Sequence, residues 1–138
     1  MRTKIHSIQT GMSCAYLIEG EEGLVLVDAG GPGAEDIFLR KIRALAHADL
    51  RLIYLTHAHL DHYGGVAALH RATGASVAIH RADAQALARG LTQTGRARGF
   101  GKVMGAAVPW VTRLLKPEGF TADVLLRDGD DLSAYGLE

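Results

Sequence analysis

The densest chemistry in the sequence lies in the stretch LIYLTHAHLDHYGGV, residues 52–66, where His57, His59, Asp61 and His62 fall within six positions. Imidazole nitrogen and carboxylate oxygen are the donors that suit Zn2+ and related divalent ions. A single histidine is ordinarily a surface residue or a hydrogen-bonded core residue. Four donor-type residues at this spacing point elsewhere. In an extended segment alternate side chains project to one side, so His57, His59 and Asp61 can converge while His62 begins the next turn. Gly64 and Gly65 follow and let the backbone turn sharply without side-chain bulk. The expected result is a metal centre with His57, His59, Asp61 and His62 as ligands.

A centre of this kind needs rigid elements around it. RLIYLT reads as a strand directly before the cluster and a helical pattern follows it, so the donors sit at the carboxyl end of a strand, where α/β sheets bind ligands. CAYLIE and GLVLVDAG flank the turn GEEG as a hairpin whose second strand is apolar on both faces, as a buried strand would be. GPGAEDIFLRKIRALAHAD opens with breakers and then places Phe38, Ile42 and Leu45 at i, i+4 and i+7, which predicts an amphipathic helix. GGVAALHRATG puts Val66 and Leu69 on one helical face and closes on Gly74 as a C-cap. ASVAIH is a further strand and RADAQALARG a helix stopped by Gly90. Strands alternating with helices of this length predict an α/β sandwich with parallel crossovers. No internal repeat is visible.

At 138 residues and 48% hydrophobic content, residues 1–138 read as a single globular domain. Fifteen basic residues balance fifteen acidic ones, so overall charge favours neither nucleic acid nor a membrane as partner. Cys14 is alone and is expected to be an inert core thiol. MRTKIHSIQTG lacks the apolar core of a signal peptide, and no apolar stretch reaches the length of a membrane span. The expected location is cytoplasmic. Residues 91–116 stand apart as an insertion, glycine- and arginine-rich in TQTGRARGFGK and apolar in VMGAAVPWVTRLL. Its expected form is a loop and a short helix packed on the core, and the functional alternative is a lid or substrate-contact surface carrying Trp110. Arg89, Arg96, Arg98 and Lys102 are read as a solvated surface, with steering of an anionic substrate as the alternative. GGPG suits a strand-to-helix turn, and Asp128, Asp130 and Asp131 of RDGDD suit a turn before a final strand segment. His6, His47, His70 and His80 are expected to be structural or exposed, His80 lying nearest to the rim that carries the cluster.

THAHLDH, preceded by a strand ending in LVDAG, closely resembles the metallo-β-lactamase superfamily, whose HxHxDH motif binds one or two metal ions in an αββα sandwich. The similarity runs from CAYLIEGEEGLVLVDAG through VAIHRADAQAL to DVLLRDGDDLSAYGLE and looks more like the glyoxalase-II-like hydrolase branch than the antibiotic-resistance enzymes. It implies an α/β fold of which this chain covers about the first half, a mixed sheet with flanking helices. It also implies His57 and His59 at a first Zn2+ site, Asp61 and His62 at a second, and Asp28 supporting the metal loop by accepting hydrogen bonds. A turn or cap role is the alternative for Asp28. The activity implied is hydrolysis of a small-molecule thioester, ester or phosphoester by a water activated at one or two metal ions, with Asp61 both ligating and orienting the attacking water. The family draws a third histidine, a bridging aspartate and a last histidine from its C-terminal half, whereas every histidine here lies at or before residue 80. Truncation is the favoured expectation, with a natural half-protein as the alternative. A non-catalytic metal-binding or oligomerising half-domain is therefore the competing function. A missing second sheet would leave one apolar face uncovered, which predicts a homo-oligomer, with Val25, Val27, Ile53 or Leu55 as candidates for its buried contacts, depending on which way each strand faces.

Overall fold

Among the described residues, six strands lie side by side in one sheet in the order in which they occur along the chain. The computed structural model describes residues 3–45, 49–92, 100–115 and 117–137. Strands β1 (Lys4–Thr10), β2 (Ser13–Gly20) and β3 (Gly23–Val27) form an antiparallel meander. From β3 onward the pairing is parallel, through β4 (Leu50–Leu55), β5 (Ser76–His80) and β6 (Val124–Leu126). The parallel connections run through helices: α1 (Glu35–Ala44) between β3 and β4, α2 (Leu60–Tyr63) and α3 (Val66–Thr73) between β4 and β5, and α4 (Ala84–Ala88) and α5 (Phe100–Leu115) between β5 and β6. The expected mixed sheet with flanking helices is therefore observed. Gly74 ends α3 as expected, in a left-handed conformation with its N–H donating to the His70 carbonyl. Strand β1 was not anticipated. Its two apolar residues, Ile5 and Ile8, fall on opposite faces, so KIHSIQT carries no alternation signal and is held by its ladder to β2.

The main core lies between the sheet and helices α1 and α3. Leu17, Leu24, Leu26, Ile53, Leu55 and Ile79 project from the strands to meet Phe38, Tyr63 and Leu69. The opposite face holds a smaller cluster of Val25, Leu52 and Ala78, and the C-terminal segment folds across it with Leu132, Tyr135 and Leu137. This arrangement narrows the candidates for self-association contacts. Val25, Ile53 and Leu55 are fully buried within the chain itself and offer no surface to a partner, while Val27 is half-buried. The RDGDD turn follows the last strand rather than preceding one: the Asp131 carboxylate accepts bonds from the Ser133 amide and hydroxyl, each 2.7 Å, and nucleates a 3-10 turn over Ser133–Tyr135. Cys14 is half-buried rather than a core thiol, because it points to the thinly covered face of β2.

The insertion also departs from expectation. It forms a helix of 16 residues whose Val103, Trp110 and Leu114 are 67%, 75% and 83% exposed, so these three side chains are not packed on the core. The excursion leaves and rejoins the body at adjacent points. A side chain at Gly90 would come within 2.7 Å of the Pro117 carbonyl oxygen, and the Phe120 amide donates to the Leu87 carbonyl at 3.0 Å. Arg71 and Glu118 close the base with an ion pair of 2.7 Å. His47, Arg96, Arg98 and the side chain of Lys102 lie outside the described residues. Among the described residues, no helix is long and apolar enough to cross a membrane.

Candidate metal centre

Parallel pairing delivers the carboxyl ends of β3, β4 and β5 to one rim, and each contributes a polar residue there. Asp28 follows β3, Thr56 through His59 follow β4, and Asp83 lies three residues beyond β5. His59 caps the short helix α2, which carries Asp61 and His62. The loop is tied down from three directions. The Ala29 amide donates to the His62 carbonyl at 2.7 Å, the Ser13 hydroxyl to the Asp61 carbonyl at 2.6 Å, and the Ala58 amide to Asp83 Oδ2 at 3.2 Å. Gly64 and Gly65 serve close approach rather than an unusual dihedral angle. A side chain at Gly65 would sit 2.5 Å from the Ala29 carbonyl oxygen, and one at Gly64 would overlap the backbone of Pro32. The loop that carries the histidines can lie against the loop after β3 only because both positions lack a Cβ.

Asp28 organises the donors. It is buried, and it is the one non-glycine among the described residues with a positive φ, +64°. That conformation is costly for most residues and tolerated by Asp and Asn. Its carboxylate accepts a bond from the Thr56 amide at 2.9 Å, lies 3.0 and 2.9 Å from the Thr56 hydroxyl through its two oxygens, and lies 2.9 Å from His62 Nδ1. A carboxylate only accepts, so His62 Nδ1 must carry a hydrogen and Thr56 must give its one hydroxyl proton to Asp28. Thr56 Oγ1 is also 2.8 Å from His57 Nδ1. With its proton spent on Asp28, Thr56 can only accept there, and His57 Nδ1 becomes the donor. One buried carboxylate thereby sets the tautomers of two histidines and leaves the Nε2 lone pair of each for a ligand.

The rings are gathered but not yet arranged as ligands. The His57 ring centroid is 4.2 Å from that of His62 and 4.4 Å from that of His59, and the His59 and His62 centroids are 6.5 Å apart. His62 Nε2 and Asp61 Oδ2 are 3.4 Å apart. Among the described residues, no three His, Cys, Asp or Glu donors converge on a common point, so holding an ion requires side-chain rotation within the cluster. The donor set itself fits a divalent ion: three imidazoles and a carboxylate within a few ångströms, two of the imidazoles oriented through Nδ1.

Burial pushes the His57 pKa below the usual value near 6.5, and positive charge on His62 and His59 pushes the same way, while Asp28 and Asp61 oppose it. The neutral form is favoured in the folded chain. Between the folded and unfolded values the unfolded chain binds the extra proton, so His57 contributes stability that is present above about pH 6.5 and lost as pH falls through the folded value. Thermal unfolding of the metal-free chain should therefore show a melting temperature that drops on acidification below that point. The drop should be shallower in His57→Gln; an identical pH profile in that variant would remove His57 from the effect.

The other described histidines, His6, His70 and His80, are engaged elsewhere. His6 Nε2 lies 3.3 Å from the buried Glu19, His70 Nδ1 bonds the Ala75 carbonyl at 2.8 Å and its ring meets Phe120, and His80 Nδ1 accepts from the Ala82 amide at 3.2 Å. The GGPG segment is a strand-to-helix turn as expected, with Gly30 and Gly33 at positive φ. Thr56, Ser13 and Asp83 were missed from sequence. Thr56 stands in the quoted THAHLDH motif and was legible as a hydroxyl beside a ligand; Ser13 and Asp83 act through backbone groups far along the chain and left no local signal.

The model of the family described as Metallo-beta-lactamase superfamily matches residues 9–136. Two curated relatives are similar in sequence. The hydroxyacylglutathione hydrolase of Cereibacter sphaeroides is 47% identical over 70 residues, which cover 49% of this chain and 24% of that protein. The acyl-coenzyme A thioesterase MBLAC2 of Bos taurus is 32% identical over 127 residues, covering 83% of this chain and 43% of that protein. The chain thus spans less than half the length of these relatives. Among solved structures, a beta-lactamase from Chitinophaga pinensis superposes with a TM-score of 0.70 at 28% identity, covering 96% of this chain and 46% of that one. A Cronobacter sakazakii metallo-beta-lactamase superposes with a TM-score of 0.69 at 30% identity, covering 91% and 44%. It is described by a HARLDQ motif, where residues 57–62 here read HAHLDH.

Proposed function

The chain belongs to the metallo-beta-lactamase superfamily, and on that premise we propose that it is the metal-binding half of a zinc-dependent hydrolase acting on a small acyl thioester. One observation carries the reading: Asp28 and Thr56 together hold His57 and His62 with Nδ1 protonated and Nε2 open, beside His59 and Asp61. His57 and His59 would hold one ion, and Asp61 and His62 a second. When bound, Zn2+ lowers the pKa of water toward about 7 and polarises the scissile carbonyl. Asp61 orients the attacking water and accepts its proton at a carboxylate oxygen, which its half-exposed position at the start of α2 permits. The names of the two curated relatives support a thioester over an ester or phosphoester, one being named for an acylated glutathione and the other for acyl-coenzyme A.

The test is thiol release from S-lactoylglutathione and from an acyl-coenzyme A in the presence of Zn2+. Release that disappears with a chelator and in Asp61→Ala is expected. Turnover by this chain alone should be slow, because four donors on one rim leave an ion open to water on its other side. Release that persists unchanged after chelation would overturn the reading. A second reading, a non-catalytic oligomerising half-domain, is favoured by the exposed Ile5 and Tyr16 on the thinly covered sheet face. Zinc content measured together with solution mass separates the two: a zinc-loaded dimer that releases no thiol supports the second.

A further inference from the structure

The whole chain is neutral, but its charge is unevenly placed. Residues 89–116 contain Arg89, Arg96, Arg98, Lys102, Arg113 and Lys116 and no acidic residue, which leaves the remainder of the chain with nine basic residues against fifteen acidic ones. Helix α5 lies within this segment. At 100° per residue, Val103, Ala107, Trp110 and Leu114 share one stripe, and all four are exposed, whereas Gly105 and Val108 on the other side are half-buried. The stripe of Val103, Ala107, Trp110 and Leu114 faces outward. Sixteen residues make a cylinder of about 24 Å, short of the roughly 20 apolar residues that a span requires.

We propose that α5 is an interfacial helix that lies in the plane of an anionic phospholipid surface, with Val103, Trp110 and Leu114 inserted and the exposed Arg113 against the headgroups. Exposed hydrocarbon within a segment of sequence that carries cations and no anion is the pattern that such a surface rewards, through apolar burial and headgroup attraction together. A second copy of the same helix is disfavoured as the occupant, because pairing would bring like charges together over a seam of little more than two heptads. Nucleic acid would meet the charge but leave the valine, tryptophan and leucine side chains without a counterpart. The placement departs from the expectation drawn from net charge, which averages this segment with an acidic remainder. It does not depend on the chemistry at the histidines.

Trp110 is the single tryptophan of the chain, so intrinsic fluorescence reports on the inserted face directly. The chain is mixed with phosphatidylcholine vesicles and with phosphatidylcholine–phosphatidylglycerol vesicles, and both emission and co-sedimentation are followed. A blue shift and co-sedimentation with the anionic vesicles, both weakened by salt, are expected. Substituting Val103→Ser together with Leu114→Ser should lower partitioning about tenfold, and Arg113→Glu roughly fivefold or more. These side chains are exposed, and unchanged far-ultraviolet circular dichroism would confirm that the variants fold. Three results would overturn the proposal: no binding to anionic vesicles; binding without any change in Trp110 emission, which would mean attachment by charge alone; and a blue shift without vesicles that tracks protein concentration and a dimeric mass, which would assign the face to a second copy.

Discussion

Replacing His57 and His59 together by alanine is expected to reduce bound zinc to background. The wild-type chain should itself hold less than one equivalent after dialysis, since donors from one rim alone, with water completing the shell, make a labile site. Removing two of the three imidazoles leaves His62 and Asp61, too few to retain an ion against dialysis. His80→Ala provides the contrast. That ring lies at the end of β5 but is engaged by the Ala82 amide and lies 3.5 Å from Asp128, so its loss should leave zinc content unchanged. Metal analysis of the three proteins decides the matter, and a double variant that retains wild-type zinc would remove the cluster from metal binding.

The largest effect on folding is expected at Asp28. Alanine there strands the Thr56 amide and His62 Nδ1, both of which now donate to the carboxylate, and it places a Cβ-bearing residue without a polar side chain at φ +64°. Loss of buried acceptors and left-handed strain together should cost about 2–4 kcal/mol. Asp28→Asn tolerates the same dihedral angle and keeps one acceptor oxygen, so about 1–2 kcal/mol is expected. In both variants zinc affinity should fall about 10–100-fold, because the tautomers of His57 and His62 are no longer imposed. Urea unfolding separates the two effects. A near-neutral Asp28→Ala would show that the carboxylate does not hold the loop.

Much of the fold was legible because its central strands and crossover helices announce themselves by period. GLVLV is apolar throughout since it is covered on both sides, and Phe38 and Ile42 recur at helical spacing because one stripe meets the sheet. Strand β1 was not legible, since an edge strand with a single apolar residue on each face carries no such period. The donors of the candidate site were legible for a different reason: four ligand-type side chains within six positions are rarely spaced so by a structural requirement. Their support was not. Whether Asp28 caps a turn or serves the histidines depends on a contact across 34 positions, and only the parallel register of β3 and β4 brings the two ends together. The outward face of α5 was equally hidden, because periodicity reveals that a helix has an apolar side and is silent on which way that side points.

The base of the α5 excursion has an evolutionary consequence. Residues 90 and 117–119 are already in backbone contact, so the chain between them closes a loop whose ends the rest of the protein has brought together. The entropic cost of closing such a loop grows only with the logarithm of its length, so that doubling it adds about 0.6 kcal/mol. Segment 91–116 can therefore lengthen, shrink or be exchanged between related proteins at little cost to the pairing of β5 with β6, and without moving the rim on which the histidines stand. Selection acting on where the protein docks is in this way separable from selection acting on what it binds at its donors.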